Sequence, residues 1–228
     1  MNHFIRNINR YFHFYKYEIL AIALLQHLFI GIFIKDLDFY INYVWPLNMV
    51  ILGIASSGVF IEKQEWKKNL KNILLILVIG FPVNLWFHIG TAALFMSWLN
   101  IVYFLFFLFI LIEILKFLLQ PSYINLDLII AAICGYLLLI ELATFAFQFY
   151  FYLYPDSFSG VHNVNPVDTY ASFVYFASVT ITSIGFGDIR PTIHFTKLLT
   201  SLFGIIGQLY SILLIGVLIG KFTSRKHG

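Results

Sequence analysis

Residues 180–188 read Thr-Ile-Thr-Ser-Ile-Gly-Phe-Gly-Asp, and their chemistry lies in the backbone more than in the side chains. A small cation leaves water only where oxygens at fixed spacing replace its hydration shell. Backbone carbonyls supply such oxygens, but an ordinary extended strand alternates them from side to side. Aiming successive carbonyls at one axis calls for backbone angles open mainly to glycine, and Gly185 and Gly187 stand at alternate positions. Other site chemistry is poorly represented. His3, His13, His27, His88, His162, His194 and His227 are scattered, with no His-Glu-x-x-His cluster of the kind an intramembrane metalloenzyme needs, so an enzyme is not expected. The single Cys134 excludes a disulfide framework and a thiolate metal site within one chain.

Gly-x-Gly alone is no more than a turn signal. Its surroundings are specific: a short amphipathic segment precedes it, Pro191 follows, and a long hydrophobic stretch lies on each side. In that setting residues 180–188 resemble the selectivity filter of the potassium channel superfamily. The resemblance implies stacked K⁺ sites formed by the backbone oxygens of Ser183, Ile184, Gly185 and Phe186 with the Ser183 hydroxyl, within an ion-binding stretch that runs from Thr182 to Gly187. The Ile184 and Phe186 side chains then point away from the ions and brace the ring, with Thr180, Tyr175 and Asp188 as filter support. Ser183 stands where relatives commonly carry Thr, keeping the hydroxyl and losing a methyl, and Phe186 replaces the commonest Tyr. Tyr175 lies where an aromatic of the pore helix backs the filter. Its hydroxyl either bonds Asp188 or the ring only packs. One filter per chain implies a homotetramer around the ion path, with K⁺ as permeant ion and no cofactor.

The elements that must hold such a segment are membrane helices. The chain has 228 residues, 61% of them hydrophobic and 19% aromatic, with only 11% charged, against about 25% charged in ordinary soluble domains. Six mostly apolar stretches qualify as spans, at about 17–35, 43–62, 70–91, 93–119, 125–153 and 194–221. The expected fold is therefore an all-α membrane protein of six transmembrane helices plus a re-entrant pore helix and an extended filter. Lys and Arg accumulate in short cytoplasmic loops. With both termini inside, Arg6, Arg10, Lys16, Lys63, Lys67, Lys68, Lys71, Lys116, Lys221, Arg225 and Lys226 are cytoplasmic, leaving only Lys35, Arg190 and Lys197 outside. This bias places Asp188 outside and predicts a multi-pass protein of the cell membrane. It also accounts for the net charge of +3 without a nucleic-acid partner. The basic start and apolar run of residues 1–35 lack a small-residue cleavage site at Ile34-Lys35-Asp36, which predicts a retained first helix.

The chain is expected to divide into a cytoplasmic segment, 1–16, a four-helix domain, 17–119, a pore domain, 120–222, and a short cytoplasmic tail, 223–228, with no soluble sensing domain expected after the last helix. Within the pore domain the outer helix is expected over 125–153, the pore helix over about 167–179, the filter over 180–188 and the inner helix over 194–221. Pro166 and Asp168 suit the first turn of the pore helix, whose missing amide hydrogen and positive dipole end they match. The run that follows is too short to span, so it must dip into the membrane and return. The four-helix domain resembles a voltage sensor only in helix number. A charge ladder needs arginines moving in a field worth about 2.3 kcal/mol per charge per 100 mV, and between Lys71 and Lys116 there is neither Lys nor Arg.

In the inner helix Gly204 and Gly207 interrupt an apolar run, and Gly207 serves either as a hinge or as a close-packing position. Gln208, Ser211, Ile215 and Ile219 share a helical face that is expected to line the cavity below the filter, the alternative for Gln208 and Ser211 being interhelical hydrogen bonding. Ile215 and Ile219, beside Gly216 and Gly220, are candidates for a hydrophobic gate. Glu113 and Lys116 are one turn apart and predict an ion pair. Glu141, His27 and His88 lie in or beside spans and are functional candidates whose partners the sequence does not reveal. Three functions remain in contention: a K⁺-selective channel conducting passively, a poorly selective cation pore, and a membrane sensor with a vestigial pore. Membrane lipids are expected partners of any of the three. Candidate triggers are tension, lipid binding, protons or the filter itself.

Overall fold

The computed structural model describes residues 14–36, 39–59, 69, 72–73, 76, 93–120, 125–161 and 165–224. Four helices among them are long and apolar enough to cross a membrane, Lys16–Phe33, Phe95–Leu119, Leu126–Leu153 and His194–Val217, and a shorter apolar helix covers Trp45–Ser56. This is a membrane protein with a mostly helical fold. The expected third span, 70–91, lies almost wholly outside the described residues, as do His88, Lys63, Lys67, Lys68 and Lys71.

Helix α1 runs Lys16–Phe29 and tightens into a 3-10 turn at Ile30–Phe33. A wide π turn at Tyr40–Val44 leads into α2, Trp45–Ser57, with a proline in its first turn where no amide hydrogen is needed. Helix α3 covers Ala93–Leu119 and α4 covers Leu126–Leu153, whose N-cap Asn125 accepts the Leu128 amide at 3.0 Å. After a short strand β1, Phe158–Ser159, come α5, Pro166–Ile181, strand β2, Arg190–Pro191, and α6, His194–Ser224. The single sheet among the described residues pairs β1 with β2 antiparallel.

Helix α4 is the central post, because 78% of its apolar window is buried whereas only 17% of that of α6 is. It packs against α3, α1, α5 and α6. Phe147, fully buried on α4, touches Phe158 of β1, Phe173 and Phe176 of α5 and Phe203 of α6, at ring separations of 5.2 to 6.4 Å. One ring thus joins every element that frames residues 182–188, in the edge and tilted geometries that aromatic quadrupoles favour. Polar contacts set the remaining registers. Tyr210 of α6 donates to the Ala132 carbonyl at 2.8 Å, against the bare backbone of Gly135, where any Cβ would meet the tyrosine hydroxyl. The Cys134 thiol lies 3.4 Å from the Tyr17 carbonyl and Gln26 donates to Asn48 at 2.9 Å, tying α1 to α4 and α2. Lys116 pairs with Glu113 one turn earlier on α3.

Candidate functional site

The site is built from the N-terminus of α5 onward. The Asn165 side chain accepts the Val167 and Asp168 amides at 3.0 and 2.9 Å, and its own amide donates to the Asp168 carboxylate at 2.6 Å. Pro166 occupies the first helical position. Two donors that the helix start would otherwise orphan are satisfied by one side chain. Asn165→Ala is expected to lower stability by about 1 kcal/mol, read as a lower midpoint of thermal unfolding in detergent with the helical content of the folded protein unchanged.

The helix ends at Ile181, so Thr180 and Ile181 form its last turn and the non-helical stretch begins at Thr182, two residues later than the expected filter start at 180. The physical reason is local bonding. Both the amide and the hydroxyl of Thr182 donate to the Ser178 carbonyl, at 3.0 and 2.7 Å, which prolongs the helical pattern through the expected boundary. The Thr182 hydroxyl is therefore engaged on the helix.

Beyond Thr182 the backbone alternates in hand. Ser183, Gly185 and Gly187 have φ of +61°, +59° and +79°, whereas Ile184 and Phe186 stay at negative φ. A Cβ on Gly185 or Gly187 would meet nothing within 4 Å, so glycine stands there for its backbone angles and not for space. The Ile184 and Gly185 amides both donate to the Val179 carbonyl, at 2.9 and 3.1 Å. Among the described residues no peptide bond is cis, and in a trans peptide the C=O points opposite to the N–H. The carbonyls of Ser183 and Ile184 therefore both face away from α5. Two successive carbonyls on one side is what a regular strand does not offer. Ser183 is the third left-handed position, a serine in a region where L side chains cost about 1–2 kcal/mol. The two glycines mark the period, and counting two residues back along it leads to Ser183.

The mouth is held from three directions. The Tyr175 hydroxyl donates to Asp188 Oδ2 at 2.8 Å, and its ring stacks parallel on Phe186 with centroids 6.4 Å apart. That hydrogen bond is the main reason the Asp188 carboxyl is held below its ordinary value and the Tyr175 phenol above its own. Gly160, at φ +83°, lies so close to the Asp188 carbonyl that any Cβ would collide with it. The loop carrying Gly160 is pinned by the Thr192 amide and the Thr196 hydroxyl, which donate to the Ser157 carbonyl at 3.0 and 2.9 Å. Gly160 carried no signal in the sequence beyond its place in a turn-rich loop.

Because Asp188 is depressed in the folded state, the stabilisation it supplies is present above its unfolded value and is lost as pH falls through its folded value. Tyr175→Phe removes the largest cause of that depression. The Asp188 titration midpoint, followed by carboxyl carbon NMR, should move up toward the ordinary carboxylate range, and the stability that wild type loses on acidification through Asp188 should be largely missing from the variant at every pH. A midpoint unchanged by the substitution would show that the bond is irrelevant.

Gln208 of α6 donates to the Ser183 hydroxyl at 2.6 Å, a partnership between α6 and the 182–188 segment that the sequence did not reveal. Gly207 lies directly on the end of α5, where a Cβ would stand 2.7 Å from Ile181 Cγ2 and 3.1 Å from its carbonyl oxygen. Helix α6 is continuous over His194–Ser224, so the packing role of Gly207 is the one the geometry displays. Ser211 donates back to the Gly207 carbonyl at 3.1 Å, and Gln208, Ile215 and Ile219 are exposed in the single chain. Gly216 has open space around it.

A family model described as Ion channel matches residues 136–224, which takes in most of α4, the outer loop, α5, the 182–188 segment and α6. No curated protein and no solved structure matches the chain.

Proposed function

We propose that the ion channel domain in the second half of this chain conducts K⁺ selectively and passively, through a pore built from four copies. The observation that carries this reading is the backbone alternation at Ser183, Gly185 and Gly187 together with the two amides held on Val179. It gives consecutive carbonyls a common direction, as dehydrating a K⁺ ion requires. The ions would sit on the oxygens of Ser183, Ile184, Gly185 and Phe186, with Thr182 and Gly187 at the ends of the stretch.

The tetramer is supported by what one chain leaves uncovered. Residues 182–188 are all exposed in the single chain, Ile184 at 56% and Phe186 at 70%. Irregular backbone at membrane depth is tolerated only when buried in protein or lining water. Neighbouring copies would bury Ile184 and Phe186 on one side and leave the carbonyl row facing a water-filled axis on the other. Gln208, Ser211, Ile215 and Ile219 would line the cavity below. The distribution of Lys and Arg orients both termini to the cytoplasm and Asp188 to the outside. Between Lys71 and Lys116 there is neither Lys nor Arg, so the fourth expected span carries no ladder of positive charges to drive opening.

Purified protein in liposomes should release K⁺ down its gradient without ATP while retaining Na⁺, and its mass in mild detergent should be that of four chains. Equal release of both ions would favour a poorly selective pore. No release from a stable four-chain assembly would favour a sensor with a vestigial pore.

A further inference from the structure

Three side chains from three helices meet in the interior, away from the filter. His27 of α1 and Glu141 of α4 are fully buried and Tyr170 of α5 is 2% exposed. The Tyr170 hydroxyl donates to the Glu141 carboxylate, 3.1 Å from each oxygen. His27 Nε2 stands 3.6 Å from Glu141 Oε1, and among the described residues neither imidazole nitrogen has a hydrogen-bond partner. The His27 ring lies 5.3 Å from that of Tyr170, and Trp45 and Phe145 also pack on the Tyr170 ring. Among the described residues the other titratable groups nearby are the phenols of Tyr40, which interacts electrostatically with Glu141, and Tyr103, which packs on Phe145. Among the described residues neither Lys nor Arg pairs with Glu141.

A lone carboxylate in such surroundings is costly. One proton for the pair, carried by either Glu141 or His27, makes the cluster net neutral, whether as carboxylic acid beside imidazole or as carboxylate beside imidazolium 3.6 Å away. Removing that proton leaves a buried anion and adding a second leaves a buried cation, and either charge state weakens the packing of the three helices. Tyr170 belongs to the same helix as Val179, whose carbonyl holds the Ile184 and Gly185 amides. A shift of α5 at Tyr170 therefore reaches the filter through a rigid element.

We propose that His27, Glu141 and Tyr170 are positioning residues that lock α5 to α1 and α4 through one shared proton, so that the first helix sets the state of the filter. The effect on conduction rests on the K⁺ channel reading above, whereas the lock itself does not. The test uses the full chain in liposomes with two readouts. Hydrogen exchange of α5 amides should be about tenfold or more faster in His27→Leu than in wild type, although His27 lies on another helix. Ion flux should change between about pH 5 and about pH 8 in wild type and become flat in Glu141→Gln.

Unchanged α5 exchange in His27→Leu overturns the lock. A flat wild-type pH profile, or one that Glu141→Gln leaves as it was, overturns the shared proton. Should Glu141→Gln fail to fold, Tyr170→Phe, which keeps the ring and loses only the hydroxyl, carries the same test: faster α5 exchange is expected, and wild-type exchange overturns the proposal. Liposomes that pass no ion while His27→Leu still loosens α5 would sink the conduction reading and leave the lock standing. Flux with unchanged exchange would sink the lock alone.

Discussion

Gly185→Ala is expected to reduce K⁺ flux by about 100-fold or more while the protein still folds and inserts. The obstacle is not space, because a Cβ at Gly185 would meet nothing within 4 Å. It is the φ of +59°, which costs an L residue about 1–2 kcal/mol. In the proposed four-copy pore that cost would be carried four times, and each 1.36 kcal/mol is a factor of ten in a rate or a population. An alanine that escapes to negative φ turns its own peptide, withdraws the Gly185 amide from the Val179 carbonyl and rotates the Ile184 carbonyl out of the row. Liposome flux and circular dichroism measured on the same preparation check this. Wild-type flux in Gly185→Ala would mean that the left-handed backbone is not what passes the ion.

Gly207→Val should be the second most damaging single change, and for a different reason. Ile181 Cγ2, carbonyl oxygen and Cα all stand within 3.2 Å of a Cβ built at Gly207, and two of those atoms are backbone. Helix α6 must then move off the end of α5, which separates Gln208 from the Ser183 hydroxyl it now touches at 2.6 Å. Overpacking of this kind costs about 1–3 kcal/mol per site, and the loss of the Gln208–Ser183 contact adds to it. Gly204→Ala is the matched control: the nearest atom to its Cβ is Thr180 Cγ2 at 3.8 Å, an ordinary contact. Thermal unfolding should fall clearly for Gly207→Val and hardly for Gly204→Ala. A Gly207→Val protein with wild-type stability and an altered opening would restore the hinge role.

How much of this was visible in the chain depends on the range of the interactions involved. The expected span over 93–119 coincides with α3, Ala93–Leu119, because unbroken hydropathy has one solution in a membrane. The left-handed positions at Gly185 and Gly187 were visible because their requirement is local: the angles that face carbonyls one way select glycine at every second position. Ser183 was recognised for its hydroxyl and not for its φ, since serine carries no backbone signal. The start of the non-helical stretch moved to Thr182 because a hydroxyl bond to Ser178, invisible in composition, extends the helix. Gln208 with Ser183, Gly160 with Asp188, and above all His27 with Glu141 and Tyr170 are tertiary pairings between distant segments. Gln208, His27 and Glu141 stood out as polar residues in apolar runs, whereas Gly160 lay unmarked in a turn-rich loop. Which groups they meet is decided by how α1, α5 and α6 pack around α4.

The central claim is that the carbonyl row beginning at Ser183 replaces the hydration shell of K⁺ and discriminates against Na⁺. Its most direct measurement is the reversal potential of the reconstituted protein with K⁺ on one side of the bilayer and Na⁺ on the other. A reversal potential displaced far toward the K⁺ equilibrium value, and collapsing in Gly185→Ala, is the expected result. A reversal potential near zero in the wild type, with current flowing equally in K⁺ and Na⁺, would contradict it.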